Sequence, residues 1–317
     1  MATLKLIFCG TPRFAVPTLE ALLASSHRIE LVVSQPDRPI GRDQQLTAPP
    51  VKQTALAAGF EITQPDKIRS NSEFRGRLEA IAPDAIVVVA YGRIIPQWML
   101  ALPRLGCINL HASLLPKYRG AAPIQWAVAN GETVTGNTTM LLEEGLDTGP
   151  ILLQQSLQIA PEQTAAELFE VLAKDGAPLM LQTLEGLDGG TLLPRQQDQS
   201  LATLAPMLDR EDGRMDFAQH TAQELKNRWR GFQPWPGAFA VLEGKKLIVH
   251  RLDVAEPPAG SARETPGEIS IANGRLLVAC ARNTVLELLD IQLEGRKRMA
   301  AADFLRGTKF SSGTRLG

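Results

Sequence analysis

The sequence predicts an α/β protein: a Rossmann-like, open, mostly parallel sheet with helices on both faces, followed by a small C-terminal OB-like β-barrel. Three observations carry this. Short apolar runs rich in Val and Ile alternate with helical stretches through the first half of the chain, the pattern of βαβ units. The stretch 190–208 shifts to Gly, Pro and polar residues, the composition of a linker. Beyond it the helical pattern largely stops, and short strand-like segments separated by turn residues take over. The expected boundaries are a first domain over 1–189, a linker over 190–208 and a second domain over 209–317.

In the first domain, Leu4–Cys9, Ile29–Ser34, Ala85–Ala90 and Cys107–His111 read as buried strands. Thr18–Ala24, Val51–Ala58, Glu73–Ile81 and Ile124–Asn130 read as helices. Pro123 and Gly131 bracket the last of these as start and stop signals. Thr164–Leu184 carries helical spacing at Leu168, Val171 and Leu172 and closes the domain. In the second, Asp216–Arg230 reads as one helix. Lys246–Leu252, Gly267–Ile271, Arg275–Cys280 and Val285–Ile291 follow as strands, with Asn273-Gly274 as a turn.

A chain of 317 residues has room for two domains. No stretch approaches the roughly 20 apolar residues of a membrane span. Neither a signal peptide nor a transit segment is legible at the N-terminus, so a cytosolic protein is expected. Cys9, Cys107 and Cys280 are odd in number, far apart and set among apolar neighbours. They read as buried hydrophobes, with no disulfide framework and no zinc site. The formal net charge is -1. It divides unevenly: residues 209–317 hold 17 Lys and Arg against 14 Asp and Glu, residues 1–208 hold 16 against 20. A mildly basic C-terminal part is compatible with a polyanion partner.

The first βα turn, Cys9-Gly10-Thr11-Pro12-Arg13, has one glycine followed by a proline. A dinucleotide site needs glycine backbone to approach a pyrophosphate, so NAD binding is not expected. The informative stretch is Gly106–Gly120. Asn109 and His111 lie two apart at the end of an apolar strand, and period-two alternation sends both to one face. In open α/β sheets that end is where ligands bind. Asn109 as a strand-end cap and His111 as a satisfied buried histidine is the plainer reading of an Asn-x-His pair alone. A Gly-bracketed loop, Gly145-Leu146-Asp147-Thr148-Gly149, adds a carboxylate. An amide, an imidazole and a carboxylate together suit acyl transfer to an amine, in which an oxyanion develops and protons must move.

From Asn109 to Pro150 the chain resembles the active-site region of the 10-formyltetrahydrofolate-dependent formyltransferases. The matching residues are Asn109, His111, Ser113–Pro116, Arg119-Gly120 and Leu146–Gly149. The resemblance implies Asn109, His111 and Asp147 as the catalytic triad. It places Ser113, Leu114, Leu115 and Pro116 along the folate site, and Val89-Ala90-Tyr91-Gly92 against the pterin, with Tyr91 and Gly92 as contacts. Phe8–Pro17, Gln35–Arg42, Gly120–Trp126, Glu211–Phe217, Trp235–Ala238 and Arg298–Leu305 are similar to the members that formylate initiator methionyl-tRNA. The donor implied is 10-formyltetrahydrofolate, the partner that tRNA, the protein a monomer and no metal is required. Arg42 is the retained basic residue of a loop that is often more basic in the family, and a tRNA contact is expected there. Lys226-Asn227-Arg228-Trp229-Arg230-Gly231-Phe232-Gln233-Pro234-Trp235 interleaves basic and aromatic residues. Trp229, Phe232 and Trp235 are expected to pack between helix and barrel, leaving Lys226, Arg228 and Arg230 to face tRNA. The alternatives are a formyltransferase for a sugar nucleotide or glycinamide ribotide, a formyl-folate hydrolase, and a non-catalytic RNA-binding protein.

Overall fold

The apolar run after Thr3 folds as β1 (Lys5–Gly10) in a computed structural model that describes residues 3–41, 43–257, 265–308, 310–311 and 313–317. Two units emerge from the contacts. One comprises Met1–Pro123, Val134–Gln158 and Leu168–Pro206; the other Ile124–Thr133, Ile159–Glu167 and Met207–Gly317. Among the described residues, no helix is long and apolar enough to cross a membrane.

The first unit continues with α1 (Val16–Leu23), β2 (Arg28–Val33), a hairpin of β3 (Arg38–Ile40) and β4 (Gln45–Thr47), α2 (Pro50–Ala57) and β5 (Ile62–Thr63). Then come α3 (Ser72–Ile81), β6 (Ala85–Val89), α4 (Gln97–Leu100) and β7 (Cys107–His111). After α5 (Pro123–Ala129) the chain adds β8 (Val134–Leu141), β9 (Ile151–Gln158) and α6 (Ala165–Asp188). The strand order is β5-β2-β1-β6-β7-β8-β9. The first five are parallel, as the Val/Ile runs predict, and β8 and β9 are antiparallel.

The strands β8 and β9 escape the apolar pattern. Most of β8 is buried, yet its inward groups include Thr135, Asn137, Thr138 and Thr139. Each burial of a polar group needs a partner. Asn137 donates to the Leu172 carbonyl at 2.8 Å, Thr138 to the Ser113 carbonyl at 2.6 Å, and Thr139 meets Thr183 at 2.7 Å. Helix α6 covers one face of β7, with Gly176 so close to Leu110 that an added Cβ would stand 2.4 Å from Leu110 Cδ2. On the other face Cys107 joins the core that holds Tyr91, Met99, Phe74 and Leu78.

The second unit holds α5, α7 (Ala222–Gly231), β10 (Phe239–Leu242), β11 (Lys245–Ala255), β12 (Ile269–Ala272), β13 (Arg275–Ala279), β14 (Val285–Leu293), β15 (Met299–Ala300) and α8 (Ala301–Gly307). The helix expected from Asp216 starts only at Ala222. Asp216 spends its carboxylate on the Ala218 and Gln219 amides, and Thr221 with Glu224 forms the capping box that begins α7. The antiparallel order is β10-β11-β14-β13-β12. Its two edges are joined by the C-terminal segment: Leu316 bridges to Leu242 beside β10, and Arg315 to Glu268 beside β12. This closes the sheet on a core that includes Leu247, Val249, Leu286, Leu288 and Ile291.

Two glycines of the first unit separate space from backbone entropy. A Cβ on Gly136 in β8 would lie 2.0 Å from the Gln155 carbonyl oxygen, whereas one on Gly76 in α3 meets nothing within 4 Å. Urea unfolding is expected to show Gly136→Ala less stable by about 1–3 kcal/mol. Gly76→Ala is expected to be more stable by about 0.5–1 kcal/mol.

Candidate active site

The crossover from β1 runs to β2 on one side and the one from β5 returns to β6 on the other, so a crevice opens at the C-terminal strand ends beside β1. Three loops meet there. Thr11, after β1, donates its hydroxyl to the Tyr91 carbonyl at 3.0 Å. Gln35, after β2, donates its amide to the Tyr91 and Gly92 carbonyls at 2.9 and 3.1 Å. These bonds hold a tight turn in which Ala90 has φ 45° and Gly92 φ 77°. A Cβ at Gly92 would stand 2.5 Å from Gln35 Nε2. The Tyr91 ring turns into the core, where burial raises its phenol pKa, and its hydroxyl finds no partner among the described residues. Tyr91 therefore offers a ligand its backbone only. What the loop exposes is Ala90, Gly92 and the side chain of Ile94, which is 92% exposed.

On β7 the alternation is as the sequence predicts. Cys107 lies in the apolar layer, its thiol pushed up to about 12 by burial. Two residues on, Asn109 is only half-buried, and among the described residues its side chain has no hydrogen-bond partner. His111 is 6% exposed. Its Nε2 lies 2.9 Å from the Tyr118 carbonyl oxygen. A carbonyl can only accept, so Nε2 carries the hydrogen and Nδ1 is left for other work.

Asp147 comes from the loop between β8 and β9. Its Oδ2 lies 3.7 Å from His111 Nδ1, within ion-pair reach but too long for a hydrogen bond. The same oxygen accepts the Gly120 amide at 2.8 Å. Asp147 sits at φ 52°, a region uncommon for a residue with a Cβ, and Gly120 at φ 121°, which glycine adopts freely. Asn109, His111 and Asp147 are thus brought to one strand end. A free amide donor, a histidine with one uncommitted nitrogen and a carboxylate stand ready for charge on a reacting oxygen and for a moving proton. Beside the loop, a groove of about 400 Å³ is lined by Gln97, Leu100, Ala101, Leu142, Glu143 and Glu144.

The Ser113–Pro116 segment is placed differently from a simple ligand wall. Ser113 is fully buried, with its hydroxyl on the Lys117 carbonyl at 2.7 Å. Leu115 packs with Met140 and Ile151. Leu114 and Pro116 are half-buried, and Leu114 lies over Gly136. These side chains brace the site more than they face it.

The expected polyanion contacts are corrected by the structure of the second unit. Lys226, only 9% exposed, donates to Glu162 at 2.7 Å and to Asp253 at 2.9 Å. Burial alone would lower its pKa, but these bonds outweigh it and raise it. Arg230, 4% exposed, bonds the Gln163 carbonyl at 3.0 Å and Asn227 at 2.8 Å. Arg228 stacks 4.9 Å from the Phe232 ring and donates to the Asp212 carbonyl at 3.1 Å. Phe232 is buried and Trp229 packs on the core, as expected, but Trp235 is exposed. Basic residues on an amphipathic stretch look alike in sequence whether they face solvent or are folded back onto partners of their own unit. Arg42 lies outside the described residues. The residues that sequence reasoning missed are Gln35 and Gln197, polar residues in loops with no local pattern to single them out.

The family description Formyl transferase matches residues 4–184, and Formyl transferase, C-terminal domain, matches residues 207–309. A methionyl-tRNA formyltransferase of Acidobacterium capsulatum is 63% identical over 99% of this chain and 100% of its own. That of Koribacter versatilis is 55% identical over 98% of each. Among solved structures, a sugar 3N-formyl transferase, WlaRD, with dTDP and 5-N-formyl-THF superposes with a TM-score of 0.63 at 17% identity, over 94% of this chain and 100% of that one. An N-formyltransferase from Helicobacter canadensis in complex with folinic acid and dTDP-3-aminofucose gives 0.64 at 17%, over 90% and 99%. At that identity the structures share the fold.

Arg230→Ala empties the space of a buried side chain and takes the donor from the half-buried Gln163 carbonyl. Urea unfolding is expected to show a loss of about 1–3 kcal/mol. The salt dependence of polyanion binding, measured by titration at several ionic strengths, is expected to stay as in the wild type, because this charge is not among those that release counterions.

Proposed function

Because the chain belongs to the methionyl-tRNA formyltransferase family, we propose that it moves the formyl group of 10-formyltetrahydrofolate onto the α-amino group of methionine on initiator tRNA, with Asn109, His111 and Asp147 as the reacting groups. The observation that carries this assignment is the meeting of a partner-free Asn109 amide with His111 and Asp147 at one strand end.

The residues present fit a folate. The groove beside the Asp147 loop, about 400 Å³, is in the size range of small-molecule sites, and Ile94 stands exposed on the neighbouring loop. Backbone of Tyr91–Gly92 and the loop Leu142–Glu144 would hold the ring system; what the donor supplies when bound is a formyl group on nitrogen.

Each side chain has a task. Asn109 donates its amide N–H to the formyl oxygen as negative charge grows there. His111, fixed through Nε2 by the Tyr118 carbonyl, presents a protonated Nδ1 to the same oxygen. Asp147, held within ion-pair reach, stabilises that imidazolium. It takes one proton from the attacking amine and returns one to the departing nitrogen, so the protons balance. No covalent intermediate on the protein is required. A tRNA acceptor also places the work where translation begins, in the cytosol. A sugar-nucleotide acceptor has only fold-level support, while the tRNA reading rests on identity over the full chain.

Asn109→Ala is expected to lower turnover about 10²–10³-fold. Binding of a non-reacting folate analogue is expected to change little. Steady-state kinetics with formyl-folate and methionyl-tRNA, and a titration with the analogue, read both. A turnover within about threefold of wild type would remove Asn109 from the mechanism, because an oxyanion donor contributes far more.

A further inference from the structure

The segment that joins the two units in sequence is held to the site along its length. Arg195 exchanges both backbone bonds with Ile151 at 2.8 Å. Thr203 accepts the Arg119 amide at 2.8 Å, and Ala205 donates to the Arg119 carbonyl at 2.7 Å. Between these anchors Gln197 points inward and is 6% exposed.

Its side-chain amide is saturated. Oε1 accepts from Arg119 Nε at 3.1 Å and from Arg119 Nη2 at 2.7 Å. Nε2 donates to the Asp147 carbonyl at 2.8 Å and to the Gly149 carbonyl at 2.7 Å. The partners fix which end is which, since a guanidinium only donates and a carbonyl only accepts. Arg119 is itself 6% exposed, and its remaining Nη1 is taken by Gln199 at 2.8 Å. A cation on the amide oxygen polarises the group and strengthens its two N–H donors.

These bonds form a ring around Asp147. The Arg119 side chain, through Gln197, grips the Asp147 backbone. The next residue, Gly120, grips the Asp147 carboxylate through its N–H. Asp147 lies in the left-handed region at φ 52°, uncommon for a residue with a Cβ, and fixing its carbonyl from outside favours that conformation. Gln197 supplies that fixation.

We infer that Gln197 is a positioning residue for the formyl transfer, acting through Asp147, so that the segment 195–205 completes the active site rather than merely tethering one unit to the other. The inference rests on the reading of Asp147 as a reacting group.

Gln197→Glu separates positioning from anchoring. It keeps the two contacts with Arg119 and makes them an ion pair, but it replaces both donors with an oxygen that repels the Asp147 and Gly149 carbonyls. In the full chain, kcat is expected to fall about 10- to 100-fold, with KM for folate and for methionyl-tRNA within about twofold. The thermal unfolding midpoint is expected to fall by several degrees, because the Asp147 and Gly149 carbonyls lose their donors, so the kinetics are measured well below it. Gln197→Met, of similar volume and with no hydrogen bonds, is the second variant should the first fail to fold, and the same kcat loss is expected. In an Asp147→Asn background, single-turnover rates are expected to fall less than about threefold further on adding Gln197→Glu, because both act through one group. A wild-type kcat in Gln197→Glu, a loss confined to KM, or full additivity with Asp147→Asn would overturn the positioning role while Asp147 keeps its own. A wild-type kcat in Asp147→Asn would overturn the reading of Asp147 and the inference with it.

Discussion

After β7 the chain turns back, and β8 runs antiparallel against it with His111 opposite Thr138 and Asn109 opposite Met140. Everything at the site depends on that reversal. A parallel strand here would need a long crossover and would finish beside His111. The antiparallel strand instead starts at the His111 end and finishes opposite Ile108, and the β8–β9 connection turns back along β7 to bring Asp147 within 3.7 Å of His111. The amide and imidazole come from one strand by alternation, and the carboxylate comes from a returning loop whose position is fixed by its bonds to Gly120 and Gln197.

Holding the loop is then a matter of hydrogen-bond accounting. Thr138 anchors the Ser113 carbonyl and receives the Leu115 amide and the Gln154 side chain, all in a buried setting. Gly149 packs so tightly on Leu141 that a Cβ would stand 1.8 Å from its carbonyl oxygen. The loop is thus closely packed at its base, where Gly149 is buried, and exposed at its tip, where Leu146 is. Buried polar groups with every bond made rigidify a site, whereas the unpartnered Asn109 amide is the place where a ligand can still gain one.

The second unit handles charge in the opposite way to the first impression of its composition. Its basic excess is partly taken up within the unit: Lys226 by the exposed carboxylates of Glu162 and Asp253, Arg230 by backbone carbonyls, Arg228 by aromatic faces. Such groups hold α7 to the rest of its unit. An arginine or lysine whose own side chain is buried and whose head is paired contributes packing and orientation, and little long-range field.

How much was legible in the sequence follows from which interactions are local. The parallel strands Lys5–Gly10, Arg28–Val33, Ala85–Val89 and Cys107–His111 were written in Val- and Ile-rich runs, because a strand buried on both faces must be apolar throughout. The common face of Asn109 and His111 was written in their spacing, because alternation is a backbone property. The triad itself came from resemblance, since no spacing rule links residue 109 to residue 147. The structure alone decided the rest. It made strands of β8 and β9, and the buried threonines and Asn137 of β8 hide the apolar pattern and bond distant partners such as Thr183 and Leu172. It turned Tyr91 inward, placed Lys226 and Arg230 inside, and brought Gln197 to Asp147 across 50 positions of chain. Propensity and periodicity act over a few residues. Which buried donor meets which acceptor is settled only when the whole chain has closed its hydrogen bonds.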